Sequence, residues 1–230
     1  MVSIRSLGHS CFSLADGKYT VLFDPFLEGN PDAVTTAEEV KADALLVSHG
    51  HSDHLGDAIA ISKRTGALIV APFELAMYCQ RNGAKVHRIH IGGAHQFDFG
   101  WVKLVVATHG SAVVGENLIE YMGPACGFVV KMGGKTIYYA GDTGLYGDMK
   151  LIGELHHPQA AILPIGDNFT MGIEDAAVAA RFIKPEVVIP MHYHAFDLIR
   201  KDPRDFANLV EREGIKCVIL EPGESYELKD

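Results

Sequence analysis

The chain has 230 residues, 48% of them hydrophobic, and a formal net charge of −9. That length and composition suit one α/β domain over residues 1–230, or two tightly packed halves, with enough apolar chain to bury a sizeable core. The acidic balance argues against a surface that tracks nucleic acid or an anionic membrane, and neither a secretory h-region nor a run of about 18 apolar residues is present, so a soluble, cytoplasmic protein is expected.

In chain order, alternation predicts strands over 3–7 and 11–14, an Asp16-Gly17 turn, and a returning strand over 19–23 that runs into Asp24-Pro25. A short helix is predicted over 36–41. The unbroken apolar run Ala44-Leu45-Leu46-Val47 reads as a buried strand, and it leads into Ser48-His49-Gly50-His51-Ser52-Asp53-His54. Residues two apart in an extended segment point the same way, so His49 and His51 can close on one ion, with Gly50 keeping the approach uncrowded. Ser52 reads as an N-cap, and Asp53 and His54 as the first turn of a helix continuing to Arg64, where a carboxylate suits the positive helix end. They offer a second pair of ligands. A strand over 66–70, a helix over 73–81, and strands over 85–91 and 101–107, joined by a Gly- and His-rich turn, complete a βαβα rhythm.

A second half repeats the plan. Strands over 127–131 and 136–140 flank a Gly133-Gly134 turn, and Asp142 falls where Asp24 fell, at 142 − 24 = 118. Ala161 answers Ala44 at 161 − 44 = 117, and Val187 answers Leu68 at 187 − 68 = 119. Three nearly equal offsets suggest an internal duplication, hence two similar sheets packed face to face with helices outside, a four-layer αββα sandwich. Three apolar strands of this chain end in metal-ligating residues: Thr108-His109-Gly110, Gly141-Asp142-Thr143, and Met191-His192-Tyr193-His194.

The H-x-H-x-D-H motif, then a lone His, an Asp in a G-D-T context and a final His, in that order, resembles the metallo-β-lactamase superfamily over nearly the whole chain. Within it, Gly8-His9-Ser10, Leu163-Pro164-Ile165-Gly166-Asp167-Asn168-Phe169-Thr170-Met171-Gly172 and Met191-His192-Tyr193 look most like the small cytoplasmic metal-dependent hydrolases related to ascorbate-6-phosphate lactonase. The resemblance implies that His49, His51 and His109 hold a first metal and Asp53, His54 and His192 a second, with Asp142 bridging. The repeat and the resemblance together imply that these residues meet at one sheet edge. Imidazole and carboxylate suit Zn²⁺, the default, while the lack of a thiolate leaves Mn²⁺ and Fe²⁺ open. Two such cations generate a bridging hydroxide near neutral pH and polarise the bond under attack, which is hydrolytic chemistry. Asp53 is the candidate base or proton shuttle.

Departures from other branches narrow the substrate. The antibiotic-hydrolysing enzymes carry a cysteine where Asp142 stands, flavo-diiron oxygen reductases carry a glutamate where His51 stands, and the RNA-processing nucleases add a long insertion that is absent here. The expectation is a dinuclear hydrolase of a small, anionic ester, lactone or phosphodiester. The alternatives are a phosphodiesterase or short-oligonucleotide nuclease, and a non-catalytic metal-binding scaffold; a homo-oligomer is left open. His9 resembles an active-site histidine of that branch and is expected to face the substrate, through a hydrogen bond or late proton donation; the alternative is a partly buried structural histidine. Asp24 is either an acceptor that fixes a ligand's tautomer or a turn residue, and Asp167 and His194 are candidates for the pocket rim. His87, His90, His95, His156 and His157 read as surface, and Cys11, Cys79, Cys126 and Cys217 as free thiols, mostly buried.

Overall fold

The computed structural model describes residues 1–229. Its first sheet is built from β1 (Val2–Gly8), β2 (Cys11–Ala15), β3 (Thr20–Phe23), β4 (Ala44–Leu46), β5 (Leu68–Pro72) and β6 (Val86–Ile89). The second is built from β7 (Ala94–Phe97), β8 (Gly100–Val106), β11 (Cys126–Met132), β12 (Lys135–Tyr139), β13 (Ala160–Pro164), β14 (Val187–Met191) and β15 (Lys216–Cys217). A hairpin of β9 (Ala112–Val114) and β10 (Ile119–Tyr121) stands apart, and β16 (Ser225–Leu228) returns to pair antiparallel with β1.

The two sheets match strand for strand. One runs β16-β1-β2-β3-β4-β5-β6 and the other β7-β8-β11-β12-β13-β14-β15, with an antiparallel hairpin followed by parallel strands in each. Alternation places Phe12, Phe23, Leu46, Phe128, Tyr139 and Ile162 in a core between the sheets, while Leu22, Leu45 and Ile69 face the helices on one side and Val129, Tyr138 and Val188 those on the other. Strands buried on both faces are why these runs are unbroken in sequence. The outer layers are α1 (Ser52–Leu55), α2 (Ala58–Thr65) and α3 (Phe73–Arg81) on the first half, and α4 (Met149–His156), α5 (Ile173–Ile183) and α6 (Pro203–Arg212) on the second. This is the four-layer αββα sandwich expected from the duplication. Among the described residues, no helix is long and apolar enough to cross a membrane.

Several local expectations change. The segment over 36–41 makes one turn, Val40 N–H to Thr36 C=O at 3.1 Å, because only Val40 of its last four residues is buried and no apolar stripe sustains a helix. The helix after the motif breaks in two at Gly56, which takes φ 41°; a Cβ there would lie 2.5 Å from the Pro25 carbonyl oxygen. Ser52 is the first helical residue and His51 the N-cap, with no side-chain cap. Backbone pairing also revises the repeat. Asp24 N–H bonds Leu46 C=O and Ala140 N–H bonds Ile162 C=O, so the offset here is 140 − 24 = 116 and Asp142 lies two residues beyond the position equivalent to Asp24.

Candidate metal centre

In the first sheet, β1, β3 and β4 run the same way and end at His9, Asp24 and the histidine motif; in the second, β8, β12 and β14 end at His109, Asp142 and His192. All of these strand ends meet at one edge of the sandwich, the usual place for a site in an α/β fold. Cross-links between halves fix the approach: Cys126 N–H bonds the Ser48 carbonyl (3.1 Å) and Gly50 N–H bonds Ser111 Oγ (3.1 Å). Within the second half, Thr108 N–H bonds Thr143 Oγ1 (2.9 Å).

Two groups of donors result, each able to hold a metal ion: His49, His51 and His109, and His9, Asp53, His54 and His192. In the first, His51 Nδ1 lies 3.1 Å from His49 Nε2 and 3.3 Å from His109 Nε2. In the second, Asp53 Oδ2 lies 3.3 Å from His9 Nε2, 3.6 Å from His192 Nε2 and 3.7 Å from His54 Nε2. Asp142 sits between the groups. Its Oδ1 is 3.2 Å from His54 Nε2, and its Oδ2 is 3.1 Å from His192 Nε2 and 3.7 Å from His109 Nε2. Bonds of roughly 2.0–2.1 Å to a tetrahedral ion place neighbouring donors about 3.3 Å apart, so these separations fit a shared cation. The orientation fits as well. His54 Nε2, Asp142 Oδ1 and His192 Nε2 are buried without a hydrogen-bond partner, although each lies at ion-pair distance from an opposing group of the cluster. Buried polar atoms left in that state need another partner.

A third donor group, Asp24 with His49 and His54, serves a different purpose. Asp24 is fully buried, and its carboxylate accepts from Ser48 N–H (2.7 Å), Ser48 Oγ–H (2.6 Å), His54 Nδ1–H (2.7 Å) and Tyr139 Oη–H (2.7 Å). A carboxylate only accepts, so the Ser48 hydroxyl spends its proton there and must itself accept from His49 Nδ1–H, 2.9 Å away. One buried carboxylate thus holds the proton of both His49 and His54 on Nδ1 and leaves each Nε2 aimed into the site. Asp24 adopts φ 40°, and His9 and His192 adopt 55° and 57°, left-handed conformations that non-glycine residues rarely take and that gather here around the site.

Charges balance within the cluster. Burial disfavours ionised Asp142, but the charges of His192 and His54 hold its carboxyl well below the usual carboxylate range; His54, with contacts from His192 and His9, does the same for Asp53. Burial likewise opposes protonated His192 and His54, yet Asp142 and Asp53 raise His192 to about 9, and Asp142, Asp53 and Asp24 raise His54 well above its usual value. His49 and His109 are pushed down, mainly by burial. Protons on His54 and His192 therefore supply the positive charge that cations would supply in the same place.

A cleft of about 510 Å³ opens over the donors, with Asp53, His109, Asp142 and His192 in its wall and Val113, Phe169 and Phe196 among its apolar residues. His9 does not line it. Its side chain is fully buried, packs against His192 with ring centroids 4.2 Å apart and planes tilted by 44°, and lines a separate 250 Å³ cavity behind the centre. His194 pairs with Asp32 (3.1 Å) on the wall of that rear cavity, and Asp167 pairs with Lys201 (3.0 Å) at the surface. His90, His95 and His157 are exposed, while His87 and His156 are half-buried; His87 and His95 have ring centroids 4.2 Å apart. Cys11, Cys79 and Cys126 are buried and Cys217 partly so, all as free thiols. Val113 and Phe196 escaped the sequence reading because the hairpin and loop that carry them have no motif, while Phe169 lies in the stretch that carries the resemblance but had no role assigned to it.

The β-lactamase superfamily domain matches residues 3–192 of the chain. A UPF0173 metal-dependent hydrolase of Pelotomaculum thermopropionicum is 53% identical over 229 residues, covering 99% of this chain and 100% of that protein. One from Desulfitobacterium hafniense is 52% identical, covering 97% and 98%. Among solved structures, Igni18, a metallo hydrolase from the archaeon Ignicoccus hospitalis, superposes with a TM-score of 0.89 at 37% identity, covering 99% of each chain. The fold is that of the metallo-β-lactamase-type hydrolases, and the chain belongs to the UPF0173 family of metal-dependent hydrolases within that superfamily.

Proposed function

We propose that the chain holds two divalent cations, one on His49, His51 and His109 and one on Asp53, His54 and His192, with Asp142 between them, and that it hydrolyses a small ester or lactone. The observation that carries this reading is the convergence of buried, partnerless His54 Nε2, His192 Nε2 and Asp142 Oδ1 between two histidine groups of tetrahedral spacing. Two cations held there would bring the pKa of water toward neutrality and polarise the carbonyl under attack. With no thiolate in the donor set, Zn²⁺ is the leading candidate and Mn²⁺ and Fe²⁺ the alternatives.

The chain's own share follows from position. Asp53 reaches both the donors and the open cleft, a position that suits it to orient a water and take its proton. Asp24 and Ser48 keep His49 and His54 from turning during that transfer. Val113, Phe169 and Phe196 pack the flank of a bound substrate and shield the reacting carbonyl from bulk water. Among the described residues no Lys or Arg lines the cleft, which favours an ester or lactone over a phosphodiester; an anionic substrate would find positive charge in the cations alone. Four free thiols fit action as one domain in the reducing cytoplasm.

The test is metal analysis of protein purified without chelator, followed by a screen of p-nitrophenyl esters, lactones, thioesters, phosphodiesters and β-lactams on Zn²⁺- and Mn²⁺-reconstituted protein. Metal-dependent turnover of an ester or lactone is expected. Failure to take up metal, or turnover confined to phosphodiesters, would overturn the reading.

A further inference from the structure

We infer that His9 is a fourth protein ligand of the cation held by Asp53, His54 and His192, a reading that rests on the metal centre proposed above. His9 Nε2 lies 3.3 Å from Asp53 Oδ2, the edge length of a tetrahedral shell, and belongs with Asp53, His54 and His192 to one donor group whose ligand atoms all fall within 4.8 Å of one another. Its ring cannot serve the cleft, because the side chain is fully buried on the far side of His192.

His9 copies the arrangement of a residue already placed as a ligand. His192 and His9 each follow directly on a strand, each takes a left-handed φ, each turns Nε2 toward Asp53, and each leaves Nδ1 buried without a protein partner. Both line the 250 Å³ rear cavity, which has room for water to accept from each Nδ1–H, the outward hydrogen bond that ligating imidazoles ordinarily make. The ring is held in place by edge contacts with Phe26 and Phe196, centroids 6.0 and 5.4 Å away, and its backbone carbonyl accepts from His192 N–H at 3.4 Å.

The duplicated fold gives independent support. β1 holds in the first sheet the place that β8 holds in the second. His109 comes three residues after β8 ends at Val106 and serves the first donor group; His9 comes one residue after β1 ends at Gly8 and serves the second. Each half thus supplies one strand-end histidine, to opposite cations. Gly8 makes this turn feasible, since it takes φ 110° and a Cβ there would lie 2.5 Å from the Asp32 carbonyl oxygen.

The experiment is titration of chelator-treated full-length protein with Co²⁺, following visible ligand-field absorption and competition with a chromophoric chelator. It compares the parent with His9→Asn, which tolerates the left-handed backbone, and His9→Gln, which keeps an N–H for Asp53 but no imidazole. Both variants should bind the first Co²⁺ as the parent does, bind the second at least tenfold more weakly, and show altered bands for that second ion. Parental affinity and bands in either variant would overturn the inference, and in His9→Gln would assign His9 to hydrogen bonding alone. A parent that takes up one Co²⁺ only would overturn the two-metal reading. His9 as a ligand would then stand if His9→Asn weakens and shifts that one ion, and fall if it does not.

Discussion

Asp24→Asn tests the idea that one buried carboxylate orients ligands in both donor groups. Asp24 Oδ2 receives three donors and Oδ1 one, all at 2.6–2.7 Å. An asparagine that keeps its oxygen toward His54, Ser48 Oγ and Tyr139 must point its NH₂ at Ser48 N–H, donor against donor, while the other three bonds lose their charge assistance. Hydrogen bonds to charged groups contribute about 1.5–3 kcal/mol each, and breaking a buried ionic contact costs about 3–5 kcal/mol; since the bonds share one carboxylate, about 3–5 kcal/mol is the expected total. For a chain of this size that lowers Tm by roughly 6–20 °C. The measurement belongs on chelator-treated protein, where bound metal cannot mask the loss. Metal affinity should fall about 10- to 100-fold, and for both cations, because Ser48 relays the effect to His49. A chelated variant melting within about 2 °C of the parent, with unchanged Zn²⁺ affinity in a chelator competition, would refute the reasoning.

Asp142→Asn should lose at least one metal equivalent by elemental analysis; a full complement would remove Asp142 from its bridging position. Asp53→Asn should cut kcat far more than it raises KM, and normal turnover with a raised KM would show that Asp53 only helps binding. In Gly166→Ala the new Cβ would fall on the carbonyl oxygen of His192 and 3.0 Å from Ile199 Cβ, so the variant should weaken the second cation and spare the one on His49, His51 and His109. Two equally weakened cations in the Co²⁺ titration would contradict this. For pH, His192 in the metal-free protein sits at about 9 against an ordinary 6.5, where Asp142 and Asp53 outweigh burial. A raised folded-state value stabilises fully below about 6.5 and is lost as pH climbs through about 9. The Tm of chelated protein should therefore fall across that window while the metal-loaded Tm does not, and parallel curves by calorimetry would count against it.

What was legible in the sequence was local. An unbroken apolar strand followed at once by His49, His51, Asp53 and His54 announces both the buried sheet and the donors, because strand direction and ligand type are written within a few residues. The strand-end positions of His109, Asp142 and His192 are legible for the same reason. What escaped depends on distant chain. β16 pairs with β1 from the opposite terminus, and β7 is a largely exposed, polar edge strand with no apolar alternation to declare it. For Asp24 before Pro25 the sequence leaves two readings, an acceptor that fixes a ligand's tautomer or a turn residue; the bond from His54 Nδ1–H bears out the first, while the donation from Tyr139, in the other half, has no local signal. His9 seemed aimed at substrate because its direction is set by the register shift between Ser6 and Gly8, which no composition signal marks. The two-residue displacement of Asp142 from the position matching Asp24 is the most instructive difference. The repeat carries the scaffold faithfully, and the extra residues let one half place a carboxylate between the two donor groups where the other keeps an orienting one.

That asymmetry bears on how metal and fold are linked. The proposed ligands are divided between the halves, so cations held there would tie the two sheets together. Phe23 stacks on Tyr139 with centroids 4.5 Å apart, Tyr139 Oη bonds Asp24, and Cys126 N–H bonds the Ser48 carbonyl, all across the same interface. Within the cluster, protonated His54 and His192 already balance Asp53 and Asp142. Metal uptake on the proposed ligands would exchange cations for these protons. Such an exchange would release protons and weaken as pH falls, so metal occupancy is predicted to follow pH as well as supply.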